Sequence, residues 1–186
     1  MKLSKLLAAV AVTTFTLASN AGFLVEPYFS YIASGKATGT AEVSSIEVDI
    51  EGTLSGTTMG LRAGYGLPLG LGFGIDYEMG NISSKDSDGD TTKSTDTNMG
   101  AFVSFDFPVM FRTWLTYFTS KSSKGEDATS KGTGMKIGVG YTGLPFVSIN
   151  LEYITDTFTE SDSDLVDSLD IKGSMTAISI SAPFNF

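Results

Sequence analysis

Asp76 and Glu78 stand two residues apart in the run GFGIDYEMG, a spacing that puts both carboxylates on one side of an extended chain. Such a pair could in principle work as acid and base. Nothing nearby positions a substrate against them, and the same spacing is equally that of two charges on one face of a strand. Arg62, Lys136 and Glu152 sit in the same way, each on the polar side of its own alternating segment. The chain has no histidine and no cysteine. That removes the imidazole of Ser-His and His-Asp machinery, the thiol nucleophile, the disulfide and the lipidated N-terminal cysteine. It also removes the nitrogen and sulfur donors of a zinc centre, leaving only oxygen ligands. Asp86-x-Asp88-Gly-Asp90 resembles a calcium loop at a glance, but Gly89 comes too early and the twelfth position is Thr97 rather than Glu. A solvated loop accounts for it better. No catalytic residue, metal or cofactor is therefore expected.

The elements that must hold these charges are strands. Between residues 57 and 79, Met59, Leu61, Ala63, Tyr65 and Leu67 occupy odd positions against Thr58, Gly60, Arg62, Gly64 and Gly66. After a turn at Pro68, Leu71, Phe73, Ile75, Tyr77 and Met79 face Gly72, Gly74, Asp76, Glu78 and Gly80. A period of two over this length is a strand with one apolar face and one face of glycine and charge. A soluble sheet would turn the apolar face to a core, whereas a transmembrane barrel turns it to lipid and keeps the polar face for its lumen.

The ends of the chain separate these cases. Residues 1–21, MKLSKLLAAVAVTTFTLASNA, combine Lys2 and Lys5, an apolar run from Leu6 to Leu17, and small residues at Ser19 and Ala21. This is the pattern of a cleaved export signal, and the apolar run is shorter than the roughly 20 residues a spanning helix needs. Residues 22–186 would then be one domain. The formal charge of −9 falls to −11 when the two signal lysines leave, which argues against nucleic-acid binding. No later apolar run approaches the length of a spanning helix, so a chain that enters a membrane must do so as strands.

Further strands follow in order. Residues 23–33 form the first, marred by Pro27, which lacks a ladder donor. Residues 36–56 are polar with an alternating patch at 46–51, where the apolar residues take even positions, and a bulge near Gly52 or Gly56 would restore the parity. This hairpin is expected to extend beyond the membrane. Residues 98–107 and 111–119 are separated by a turn at Pro108. In the second, either Phe111, Leu115 and Tyr117 face outward with Arg112 meeting Asp106, or Trp114 and Phe118 do. Residues 133–141 and 147–153 flank Gly143-Leu144-Pro145. If those three make the turn, Lys136 falls opposite Glu152. Polar loops are expected at 83–97, 120–131 and 156–172, the last strongly acidic. The final strand, from Gly173, ends in Ser-Ala-Pro-Phe-Asn-Phe.

An alternating last strand that closes on an aromatic, with Phe184 and Phe186 on one face, resembles the C-terminal strand of bacterial outer-membrane barrels. Taken with the export signal and the hairpin series, the mature chain is similar in pattern to the small OmpA/OmpX-like and OmpW-like barrels. The resemblance implies an all-β, transmembrane, antiparallel up-and-down barrel of about eight strands in the cell outer membrane. It also implies recognition of Phe184 and Phe186 by the barrel assembly machinery, and contact with outer-membrane lipid and lipopolysaccharide. Aromatics collect at both strand ends, Phe23, Tyr65, Phe73, Phe105, Phe107, Phe111, Tyr141, Phe184 and Phe186 at one and Tyr31, Tyr77, Tyr117 and Tyr153 at the other, as two interfacial girdles would require.

An eight-stranded barrel has an interior that side chains can fill. Arg62, Asp76, Glu78, Lys136 and Glu152 are therefore expected to form a paired luminal plug, with a proton or ion path as the alternative and with inward glycines leaving room for water. Three functions follow: a non-enzymatic barrel that works through its exterior loops on an unidentified surface ligand; an OmpW-like narrow channel for small hydrophobic molecules, with Phe102, Ile154 and Trp114 as inward apolar candidates; or a soluble exported β-sandwich or lipocalin-like binder. The acidic residues at 156–172 would bridge divalent ions to lipopolysaccharide phosphates or would simply be solvated.

Overall fold

The computed structural model describes residues 22–43, 46–125, 128–163 and 166–186; the expected export signal lies outside the described residues. Eight long strands run in order: β1 (Gly22–Val43), β2 (Ile46–Gly66), β3 (Leu71–Asp86), β4 (Thr91–Phe107), β5 (Phe111–Lys124), β6 (Thr129–Tyr141), β7 (Ser148–Ser161) and β8 (Val166–Ser181). Each pairs antiparallel with the next, and β1 pairs with both β2 and β8, so the sheet closes on itself. A two-residue β9 (Phe184–Asn185) continues the β8 edge along β1 after Ala182-Pro183. This is an all-β, closed, up-and-down barrel.

Closure removes the sheet edges that would otherwise present unpaired backbone. The seam shows how Pro27 is accommodated: the Ala182 N–H donates to the Pro27 carbonyl at 3.0 Å, and Pro27 has no hydrogen with which to return the bond. Below it, Phe23 and Phe186 exchange two backbone hydrogen bonds of 3.0 Å.

The barrel is apolar outside and polar inside. Met59, Leu61, Ile75, Val103, Ile137, Leu151 and Ile180 are all exposed, whereas Arg62, Asp76, Lys136 and Glu152 are at most 1% exposed. Among the described residues no charged side chain faces outward between the two aromatic levels. Phe23, Tyr65, Phe73, Phe107, Phe111, Tyr141 and Phe184 ring one end and Tyr31, Tyr77, Tyr117 and Tyr153 the other, all facing outward. Burying such a surface in water would be unfavourable at every strand, while a bilayer matches it; this is a membrane barrel.

Three short turns at one end, around Pro68, Pro108 and Pro145, each place a bulky residue in the left-handed region: Leu69 at φ 73°, Met110 at 63° and Phe146 at 65°. At the other end the strands continue well past the girdle. Among the described residues the polar stretches expected as loops at 83–97, 120–131 and 156–172 are mostly strand, and the connection after Asp86 is a tight turn. Serine and threonine are abundant there, and a continuing ladder satisfies every backbone donor without needing an apolar face. Within that turn, Asp86 accepts backbone N–H bonds from Asp88 and Asp90 at 3.0 and 2.9 Å, so its carboxylate closes the turn.

Two register expectations are corrected. The bulge lies not on β2 near Gly52 or Gly56 but on β1, between Ile32 and Lys36, where the pairing with β2 and with β8 both slip. The β2 parity therefore never switches: Ile50 and Leu54 keep to the luminal side, so Ile50 of the 46–51 patch points inward. Secondly, Lys136 lies opposite Ile154 and Glu152 opposite Gly138. The turn is longer than Gly143-Leu144-Pro145, because the ladder stops at Tyr141–Ile149, and this moves the register by two residues while keeping both charges in the lumen.

Candidate functional site

The lumen brings buried charged side chains from β1 to β7 together. Every strand contributes through its inward positions, and β1, whose Glu26, Tyr28, Ser30 and Ile32 are all buried, supplies the layer sequence.

At the short-turn end, Arg112 forks onto Asp106, with Nη2 donating at 3.1 Å, and donates through Nη1 to Glu26 at 3.1 Å. Ser181 donates to the other Glu26 oxygen at 2.6 Å. This settles the facing of β5: Arg112, Trp114 and Phe118 are luminal, and Phe111, Leu115 and Tyr117 face outward.

The middle layer is built on Arg62. Its guanidinium lies 3.2 Å from Glu26, 3.0 Å from Glu152 and 3.6 Å from Asp76, and it is sandwiched between the rings of Tyr28 at 4.5 Å and Trp114 at 4.2 Å. Lys136 pairs with Glu78, donates to the Tyr28 hydroxyl at 3.1 Å and lies 3.8 Å from Asp76. The remaining carboxylate valences are filled by neutral donors. Tyr28 and Thr116 donate to Asp76 at 2.7 and 3.0 Å, Asn98 to Glu78 at 3.0 Å, and Ser30 and Ser179 to Glu152 at 3.2 and 3.0 Å. Lys136 and Glu152 are therefore not partners: each reaches across the barrel instead, to β3 and β2. All five charges singled out in the sequence lie within this one layer.

Glycines in this layer are not gaps. A Cβ on Gly60 would fall 2.3 Å from the Tyr28 ring, one on Gly138 2.2 Å from the Trp114 ring and one on Gly74 2.8 Å from the Phe102 ring. Rings lie flat across these positions, which is how three aromatics fit inside so small a barrel.

Towards the long-strand end the lining divides. Ile32, Ile82, Ile154, Met175 and Ala177 pack together with Leu54 on one side. On the other, Lys121 pairs with Asp156 at 2.8 Å, while Asp96 accepts from Ser94 at 3.1 Å and Ser123 at 2.7 Å. Altogether seven inward carboxylates (Glu26, Asp76, Glu78, Asp96, Asp106, Glu152 and Asp156) meet four bases (Arg62, Arg112, Lys121 and Lys136). Among the described residues no group of three or more acids is arranged to hold a metal ion.

Sequence reasoning missed Glu26, Tyr28, Asp96, Lys121 and Asp156. For the first two the signal was present, since both occupy the even positions of β1 opposite Val25, Phe29 and Tyr31. The other three fell in stretches whose polarity reads as loop.

Compared by sequence, the chain matches no protein-family model and no curated protein. Solved structures match it by shape. The outer membrane protein OprG from Pseudomonas aeruginosa is 11% identical, with 90% of this chain and 98% of that chain covered and a TM-score of 0.51. AlkL, solved in lipid bilayers, is 12% identical over 90% and 92% with a TM-score of 0.51. Ail, the attachment invasion locus protein of Yersinia pestis, is 11% identical over 88% and 99% with a TM-score of 0.51. At such identities the likeness is one of fold: that of the small eight-stranded outer-membrane barrels.

Proposed function

We propose that this small eight-stranded barrel is a non-enzymatic integral protein of the outer membrane, with a charged, plugged lumen, that acts through its exterior strands and tips. One observation carries the reading: Arg62 lies against two rings and faces three carboxylates on β1, β3 and β7, a paired layer at mid-barrel that supports a plugged lumen. Breaking such a layer leaves buried charges unpaired, which costs several kcal/mol. Its partners on this reading are outer-membrane lipid, lipopolysaccharide around the upper girdle, and the barrel assembly machinery, engaged through Phe184 and Phe186. Residues 1–21 are the export signal that brings it there. The exposed acids of the tips, Glu160, Asp162 and Asp170 among them, are solvated rather than ligating.

Single-channel recording of the refolded protein in a planar bilayer tests the plug, with Lys136→Ala and Glu152→Ala beside it. The wild type is expected to be silent while running as a folded, heat-modifiable band. Reproducible wild-type conductance steps would overturn the reading.

A second reading, a narrow route for small hydrophobic molecules, is favoured by the wall at the β1 bulge. An outer cavity of about 490 Å³, lined by Gly35, Lys36, Tyr153 and Thr176, and an inner one of about 170 Å³ share Leu54 and Met175. Those two side chains alone are common to both. Transfer of an apolar fluorophore from the aqueous phase into bilayers carrying the protein, abolished by Met175→Trp, would move this reading to first place.

A further inference from the structure

Above the mid-barrel layer, all eight strands enclose a chamber of about 170 Å³ that lies beyond the outer tyrosine girdle. Its two halves differ. Ile50, Leu54, Ile82, Phe158, Ile171 and Met175 supply an apolar wall from β2, β3, β7 and β8. Asp96, Ser94 and Ser123 supply the facing polar wall from β4 and β5. Lys121 is committed to Asp156 of the lining, and among the described residues no lysine or arginine comes within 4 Å of Asp96. Asp96 is nevertheless only 7% exposed. A nearly buried carboxylate with no base in direct contact is costly where it stands, and a cation in the chamber would relieve that cost.

We propose that the chamber binds a small primary ammonium compound with a compact apolar body, the cation on Asp96 and the body against the Leu54–Ile82–Met175 wall. The donor and acceptor inventory favours an ammonium over other cations. Ser94 and Ser123 spend their hydrogens on one Asp96 oxygen, which leaves their own lone pairs and the other carboxylate oxygen to accept. Three N–H donors match three such acceptors. A hard metal ion would want six or more oxygens and would face hydrocarbon on half of its surface. The volume fits one ring or a short chain, since a cavity of about 150 Å³ accommodates benzene. The inference needs only the folded barrel, so it stands or falls apart from the conductance test.

The test is an NMR titration of the refolded protein in zwitterionic nanodiscs with 2-phenylethylamine, and with 3-phenylpropionate and 2-phenylethanol as the anionic and neutral counterparts. The amine is expected to shift the Asp96 and Ser123 amides saturably, at least tenfold more tightly than either counterpart. Asp96→Asn should weaken the amine at least tenfold, the loss of one charge-assisted hydrogen bond. Leu54→Trp, which fills the chamber from the opposite wall and leaves the acid in place, should abolish the shifts. Equal affinity for amine and carboxylate, undiminished binding by Asp96→Asn, or shifts that persist in Leu54→Trp and so report bilayer partition, would each overturn the proposal. Should Asp96→Asn fail to fold on a heat-modifiability gel, the wild-type ranking of the three probes decides alone, and a preference for the amine below tenfold refutes it.

Discussion

Replacing Arg62 with methionine removes one positive charge from a point where three carboxylates converge. The loss can be estimated from what each acid keeps. Glu26 retains Arg112 at 3.1 Å and Ser181 at 2.6 Å; Glu152 retains Ser30 and Ser179; Asp76 retains Tyr28, Thr116 and, at 3.8 Å, Lys136. Because none is stripped bare, the penalty for breaking a buried pair should sit near its lower bound of about 3 kcal/mol. Loss of the cation between the Tyr28 and Trp114 rings adds about 1–2 kcal/mol. Arg62→Met is therefore expected to destabilise by about 4 kcal/mol. Arg62→Lys should lose about half of that, since one ammonium cannot span three strands as the guanidinium fork does. The assay is urea unfolding in lipid vesicles followed by the fluorescence of the chain's single tryptophan, Trp114, which lies 4.2 Å from the guanidinium and reports the same layer. Adding Glu152→Gln to Arg62→Met should restore at least about 1 kcal/mol, as coupling between directly paired groups requires. A loss below about 1 kcal/mol for Arg62→Met, with Trp114 emission unchanged, would refute the view that this residue holds the lumen shut.

Three other outcomes are expected. Gly138→Ala and Gly60→Ala should each cost about 1–3 kcal/mol by driving a methyl into the Trp114 and Tyr28 rings, while Gly173→Ala, whose Cβ would meet nothing nearer than 3.6 Å, should be close to neutral in the same unfolding assay. At the β7 end, the Thr129 backbone N–H bond holds the exposed Asp162 carboxyl below its usual value of 3.8. A folded-state pKa lowered in this way contributes stability above 3.8 that disappears as pH falls through the lower folded value, so exchange protection of the Thr129 amide should fall over that acidic window and be insensitive to pH between 5 and 8, as NMR exchange would record. Removing Phe186 takes away two backbone bonds to Phe23 but no luminal contact; the refolded protein should lose only about 1–3 kcal/mol, while its level in outer-membrane fractions falls far more steeply on immunoblots.

The barrel was legible in the sequence because a period of two, repeated over strands that pair side by side, leaves little freedom about which face meets lipid. Arg62, Asp76, Glu78, Lys136 and Glu152 could be assigned to the lumen on that ground alone. Their partners could not. Register across a turn depends on how many residues the turn consumes, and the difference between three residues and a longer connection at 142–147 moved Lys136 from Glu152 to Ile154. Contacts across the lumen, such as Lys136 with Glu78, join strands that are not neighbours, and no alternation encodes them. Ile50 in the 46–51 patch was visible but misassigned, since an inward hydrophobic side chain on a polar strand looks like a parity change. The tall polar strands were hidden for a different reason: outside the bilayer, both faces of a strand can be hydrophilic, and the sequence then carries no contrast to read.

The strands rise past the outer girdle by unequal amounts. From Tyr31 to Val43, β1 runs twelve residues, whereas β5 runs seven from Tyr117 to Lys124. At about 3.3 Å per residue and a tilt near 40°, that difference is roughly 13 Å of height. The rim is thus cut on a slant, like the mouth of a scoop, with the apolar wall forming its back and the serine-rich wall its lip. A body approaching along the barrel axis would meet the taller β1 side before the β5 side. Peptides inserted at the crest, between β1 and β2, would for the same reason be displayed clear of the bilayer, while insertions at the lip between β5 and β6 would lie in its shadow.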